Sequence, residues 1–311
     1  MFDSPVFTSC VGMNNKRPSH EIPFNEESGI PSLEESKDVL ISESGKIVTR
    51  NGISNEYTGS FDSGFTTSET SFYAVESRTS DSALFLFSVQ PDGSLFSTGV
   101  ISGLPISCKF DYVKRGSSIV YCCGSQNGIL NEAISSEIPD TEWAGPDKKR
   151  VMSKLPAGTH IDLLSGRILL SRANELYYDE HGLIGLFDEA KNRVRFGSDI
   201  IMICAVQDGA YISDTSSVYF VSGKNPNEWT CRKVLGYPAV EWSRVHGLVQ
   251  LKDFGFESAG MGVMFGTVRG PVVGTSDGSC YNLIDDVYEL PDCMGQNGFL
   301  SIVDKTMVIQ G

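Results

Sequence analysis

Side chains that could do chemistry are few in this chain, and their spacing is informative. There are four histidines: His20, His160, His181 and His246. His160 stands in "GTHIDLL", where alternation puts His160, Asp162 and Leu164 on one face of a strand. A carboxylate beside it would raise its pKa, which is how a general acid is tuned. An edge or turn histidine is the commoner case. His181 follows a run of acids and has no evident partner. The chain has no G-x-S-x-G elbow, no H-E-x-x-H pair and no phosphate-binding loop.

The eight cysteines are Cys10, Cys108, Cys122, Cys123, Cys204, Cys231, Cys280 and Cys293. None forms a C-x-x-C pair, and the adjacent Cys122 and Cys123 point to opposite faces of a strand. The expected reading is reduced, buried thiols acting as small hydrophobes. Asp92-Gly93 and Asp277-Gly278 lack the ligand spacing of a calcium loop and read as tight hairpin turns. "SFDSGFTT" (60–67) partly matches the S-x-D-x-G-x-x-W box of sialidase-type propellers, with Thr67 where Trp would stand. That box is a turn motif, and it supports a hairpin rather than hydrolysis. Paired carboxylates could serve glycoside hydrolysis, but 39 acidic residues do not single out a pair. Tyr177, Tyr178, Tyr237 and Trp242 are the aromatics that could stack on a sugar or fill an interface. No catalytic, cofactor-binding or metal-ligating residue is assigned, no cofactor is expected, and the chain is read as non-enzymatic.

The elements that would have to position such groups are short. "LPAGTHIDLLSGRILLSRANELYYDE" (155–180) holds three apolar runs separated by Ser165-Gly166 and by Arg172-Ala173-Asn174. None is long enough for a helix with one buried face. From about residue 37, strands recur every 8 to 12 residues with turn signals between them. "SFYAVES" precedes a hairpin that turns at Pro91-Asp92-Gly93, and strands are expected again at Ile200–Val206 and Gly209–Ile212. Short helices are expected only at Gly182–Asp188 and around Ile284. The fold is therefore all-β. Strands grouped in fours, in a chain of 311 residues, favour a β-propeller of five to seven four-stranded blades, six being the best single count. Residues 1–36 read as an extended, proline-bearing arm and 37–311 as the propeller, with a polar insertion around 132–157.

Net charge is −14, which disfavours general nucleic-acid binding. The densest basic cluster, Asp147-Lys148-Lys149-Arg150, reads as a solvated loop. The opening "MFDSPVFTSCVGMNNKRP" has no basic start followed by an apolar run, so no secretory signal is expected. The longest apolar run, Ile200–Val206, is too short to span a bilayer, so no membrane insertion is expected.

Several stretches together resemble a virion structural protein common among tailed bacteriophages. Residues 155–180 are similar to that family's P-A-G-x-x-I-x-x-x-N-G-R-L segment. "VQDGAYISDTSSVYFVSG" is similar to its V-D-G-x-Y-V-x-T and V-Y-F-L-x-G motifs, "TVRGPVVGTSDGSCYNLI" to its T-x-R-G-x-x-x-G-x-x-D-G-x-x-x-N-L-T, and "VGMNNKRP" to its G-M-N-N start. The chain departs from the pattern at Ser165, where the family has Asn, and at Ile284, where it has Thr. The resemblance implies a propeller in the tail, a nozzle or hub. It implies a homo-oligomeric ring (a hexamer) that meets adaptor and fibre proteins, with DNA passing unbound. It also implies assembly in the host cytoplasm and residence in the virion. The alternative is a glycan-binding or sialidase-like propeller used in receptor recognition. That alternative expects Arg and carboxylate side chains to converge at the axial mouth, whereas a structural subunit expects no such cluster.

Overall fold

The computed structural model describes residues 59–138 and 152–284, apart from 224, 255 and 257–259, and the backbone of six short strands nearer the termini. The described residues form five four-stranded antiparallel sheets that follow one another along the chain. The first holds Phe61–Ser68, Ser71–Ser77, Ser82–Val89 and Leu95–Leu104. The second holds Asp111–Arg115, Ser118–Cys122, Asn127–Asn131 and Ile134–Glu137. The third holds His160–Leu164, Arg167–Arg172, Glu175–Tyr178 and Arg193–Arg195. The fourth holds Ile200–Val206, Gly209–Asp214, Val218–Ser222 and Thr230–Leu235. The fifth holds Val249–Gln250, Met261–Thr267, Gly270–Thr275 and Cys280–Asn282.

Each sheet is a meander, and side chains from consecutive sheets fill each of the four junctions between them, which makes the molecule a β-propeller. The period of two in the sequence explains the stacking. Ile119 and Tyr121 pack with Phe65, Tyr73 and Leu84 of the first blade. Their neighbours Val120 and Cys122 face the other way, onto Ile161, Ile168 and Leu170 of the third. Leu169 and Tyr178 pack with Ile203 and Ile212 of the fourth blade, while Met202 and Phe220 pack with Val263 and Phe265 of the fifth. Tyr177 and Tyr178 do point to opposite faces, and both are buried. The turns behave as their residues require. Gly93 and Gly278 are left-handed, and Asp92 and Asp277 each accept the N–H two residues on.

Four expectations are corrected. Gly182–Asp188 is not helical: Gly182 and Gly185 have φ of 84° and 70°, and Leu186–Asp188 is a strand paired with Met152–Lys154. Ile284 lies in a bend. Among the described residues two short 3-10 turns occur instead, at Pro226–Glu228 and Leu251–Phe254. The polar stretch from 132 is not all insertion, because Ile134–Glu137 is the outer strand of the second blade. Its polarity reflects an outer edge, with three of its four residues exposed. "SFDSGFTT" is itself mostly strand, and its hairpin turn comes after it, at Glu69-Thr70. Residues 139–151, with the basic cluster at 147–150, and most of the arm over 1–36 lie outside the described residues.

Two short hairpins flank the blades in sequence: Val39–Ile41 with Ile47–Thr49, and Phe299–Val303 with Thr306–Gln310. Between them they hold four more strands.

Candidate functional site

The inner strands of the blades converge on one buried arginine. In the fifth blade the inner position is taken by an irregular segment, Ala239 to Val245, running antiparallel to Met261–Thr267. Ala239 bridges Thr267, Val240 N–H donates to Gly266 O at 2.9 Å, and Val245 N–H donates to Met264 O at 2.9 Å. Between these anchors the chain bulges. Trp242 is forced to φ 66°, and the Ser243 hydroxyl bonds Val240 O at 2.5 Å and receives Gly266 N–H at 3.0 Å. The bulge turns Arg244 inward.

Arg244 then reaches three other blades. Its Nη2 donates to Asp111 Oδ1 at 2.7 Å, to Ile161 O at 2.7 Å and more weakly to Tyr112 O at 3.3 Å. Its Nη1 donates to Asp162 Oδ2 at 2.7 Å and Ile203 O at 2.5 Å. Asp111, Asp162 and Ile203 lie on the inner strands of the second, third and fourth blades. The side chain is 6% exposed and Asp111 2%. Burial acts to deprotonate Arg244, but Asp111 and Asp162 outweigh it and hold the charge. Burial likewise pushes the Asp111 carboxyl up, and Arg244 with the two nearby histidines reverses this and holds it well below the usual range.

The histidines sit on either side of Asp111. His160 is buried, with Nδ1 3.8 Å from Asp111 Oδ2 and Nε2 3.3 Å from Glu241 Oε1. Burial lowers its pKa, but the flanking Asp111 and Glu241 carboxylates prevail and raise it. His160 is thus buried between two carboxylates from other blades, not the edge or turn histidine expected, and Asp162 is not its partner. His246 stacks on Tyr112 at 4.1 Å between ring centroids, with Nδ1 3.3 Å from Arg244 Nη2. Burial and the guanidinium push it down to about 3. Trp242 leans on His160 at 4.6 Å, and Lys109 stands 5.8 Å over the indole. Trp242 is part-exposed, and Glu241 and His246 reach solvent, so these residues form the mouth above the buried pin. His181 is not part of this cluster; its ring lies against Gly166.

Around the axis, every junction between described blades uses one device. A side-chain oxygen accepts a backbone N–H from the next blade's inner segment. Ser63 accepts Phe110 N–H at 3.1 Å, and Asp111 accepts Ile161 N–H at 2.9 Å. Asp162 accepts Ala205 N–H at 2.8 Å, and Ser213 accepts Ala239 N–H at 2.9 Å. Asp111 and Asp162 thus serve both the junctions and the pin. Sequence reasoning marked His160, Asp162 and Trp242 but missed Arg244, Asp111 and Glu241. "VEWSRVHG" carried a signal in its Trp, Arg and His within five residues, but nothing local to the sequence said where it pointed.

Among the described residues, no group of three or more His, Cys, Asp or Glu is arranged to hold a metal ion, and no helix is long and apolar enough to cross a membrane. No family model and no curated protein matches the chain. It is similar to solved structures at low identity. Apo AztD from Citrobacter koseri is 12% identical over 90% of this chain and 84% of that one, with a TM-score of 0.43. Hsv2 from Kluyvelomyces marxianus is 10% identical over 81% and 72%, with a TM-score of 0.42. PorZ of Porphyromonas gingivalis, a component of a type-IX secretion system, is 13% identical over 81% of this chain but 31% of its own, with a TM-score of 0.43.

Proposed function

We propose that this chain is a non-enzymatic structural subunit of a bacteriophage tail. In this reading it is a propeller that associates with copies of itself into a nozzle or hub ring and meets adaptor and fibre proteins. The observation that supports the reading most is the saturated axis. Arg and two carboxylates do converge there, as a glycan-active propeller would require and contrary to the expectation that a structural subunit has no such cluster. Yet both Arg244 Nη atoms are committed to protein acceptors, and the two aspartates are committed to the pin and to neighbouring N–H groups. Such a centre ties blades together and leaves no guanidinium Nη group turned toward a ligand. A plugged axis also means that DNA would pass through the hole of the ring, not through the propeller. The net charge of −14 suits a conduit that repels DNA and lets it slide. Ring formation is read by native mass spectrometry and electron microscopy of the purified full chain, followed by cryo-electron microscopy of the particle. A closed ring on the tail axis is the expected result. A monomer at all concentrations, absent from the particle, overturns the proposal.

The mouth favours a second reading. Trp242, Lys109, Glu241 and His246 surround the axis at the surface, a set that could stack on and hydrogen-bond a sugar. A glycan array with Trp242→Ala as control decides it. Saturable binding lost in the variant supports a receptor-binding role, and no binding by either protein removes it.

A further inference from the structure

The third blade gathers cations that the axis does not use. The small sheet of Met152–Lys154 and Leu186–Asp188 packs on the face of this blade turned toward the second. Phe187 meets Tyr177 edge to face there, with ring centroids 5.4 Å apart. Beside that contact lies a pocket of about 310 Å³. Lys154, Arg172, Arg193 and Glu189 line it, and Tyr177 and Phe187 form its aromatic wall. Strand register explains the gathering. Tyr177 pairs with Leu170 on one side and with Arg193 on the other. Arg172 stands two residues beyond Leu170, so an arginine flanks Tyr177 on each side of the same face.

These cations are incompletely neutralised. Arg172, at the exposed end of its strand, has no hydrogen bond or ion pair among the described residues. Arg193 Nη1 is 3.7 Å from Glu175 Oε1, but that oxygen already accepts from Arg195 Nη2 at 2.7 Å. The other oxygen of Glu175 accepts the Tyr177 O–H at 2.6 Å. Lys154 Nζ is 3.0 Å from Glu137 Oε2, whose side chain is 88% exposed, so this pair is readily given up. Three cations therefore share the pocket with one acid, Glu189, in a chain of net charge −14. Against that background the pocket is a local attractor for anions.

We propose that this pocket binds a phosphate monoester carried on a ring, the chemistry shared by sugar phosphates and mononucleotides. The unpaired Arg172 fork takes two phosphate oxygens, and Arg193 and Lys154 complete the charge of the dianion. The pocket is larger than a phosphate alone requires, and the remaining space borders the Tyr177 and Phe187 edges, where a ring packs. The site shares no residue with the axial pin or its mouth, so it stands apart from both readings above.

Isothermal titration calorimetry of the full chain at low salt tests it, with glucose-6-phosphate and AMP as probes and glucose and adenosine as their neutral counterparts. At least one ester should bind with a dissociation constant of about 0.1–1 mM, and the neutral counterparts should give no heat. Preference for one ester identifies the ring, and equal binding makes the phosphate the dominant contact; either result supports the site. Arg172→Gln should weaken binding about tenfold or more, and Arg172→Lys, which keeps the charge and loses the fork, should fall between. Both variants should melt like the wild type, because the side chain is exposed and unpaired. Lys233→Gln removes a cation from the fourth blade's outer strand and should leave binding unchanged. No binding of either ester overturns the proposal. So does wild-type binding in Arg172→Gln, or an equal loss in Lys233→Gln, which would mean diffuse attraction to surface cations.

Discussion

Arg244 is the residue on which the centre of the molecule depends. Its charge is buried against Asp111 and Asp162, so removing it strands the buried Asp111 carboxylate and the part-buried Asp162 carboxylate without their counter-charge. Arg244→Met keeps most of the volume and loses the charge. It should cost about 3–5 kcal/mol, read as a shift in the urea unfolding curve. Adding Asp111→Asn should recover part of that loss, because one stranded charge is gone. If the double variant is less stable than the single by the full cost of Asp111→Asn in the wild type, the two residues do not act as a pair. His246 makes a second prediction at this scale. Its folded pKa of about 3 lies below its ordinary 6.5, so the unfolded chain takes the proton first. Its contribution to stability is therefore present above about pH 6.5 and is lost as pH falls toward 3. Asp111, held below its ordinary 3.8, gives way only at lower pH. His160 has the opposite sign: its raised pKa contributes fully below 6.5 and is lost as pH rises through its folded value. His246→Gln should thus flatten the fall in the urea midpoint between pH 6.5 and 4. An unchanged slope would assign the acid sensitivity elsewhere.

At the scale of the element, the third blade shows how turn residues set strand register. Ser165 and Gly166 both have positive φ, 50° and 78°, and the hairpin pairs Leu164 with Arg167 across them. Two consecutive left-handed residues make the turn whose twist matches a β-hairpin, and Asn is the non-glycine residue that accepts this conformation best. Ser165→Asn should stabilise the protein by about 0.5–1 kcal/mol and raise its melting temperature. A neutral or destabilising result would mean that the hairpin does not hold this turn. The blade junctions belong to the same scale. Ser63 and Ser213 do at their junctions what Asp111 and Asp162 do at theirs, so the device depends on an oxygen acceptor rather than on charge.

For the whole molecule, the question is how the propeller closes. The first blade's face away from the second carries Phe61, Phe72, Phe85 and Phe87, with Phe72 and Phe87 stacked at 5.0 Å. The fifth blade's outer cluster holds Val249, Leu251, Met264 and Val273. The hairpins at 39–49 and 299–310 are separate two-stranded sheets whose four strands are the number one blade needs, and a sixth blade assembled from the two hairpins would cover both faces. Deleting residues 299–311 should then lower the melting temperature by 10 °C or more and expose apolar surface to a hydrophobic dye. A truncated chain that melts like the full one would leave five blades as the complete propeller.

The sequence by itself determined the all-β class, the grouping of strands in fours and most of the strand positions between residues 71 and 275. Those follow from apolar alternation with period two and from Gly, Asp and Asn at turns, which act over a few residues. Outer strands such as Ile134–Glu137 were harder to see, because an edge exposed on both faces has no alternation to show. Tertiary structure alone decided the centre. Arg244 and Asp111 are 133 residues apart. A buried charge is stabilised by whichever acceptors the inner strands deliver to the axis. That delivery is set by how blades stack around it, and a linear chain carries no local mark of it.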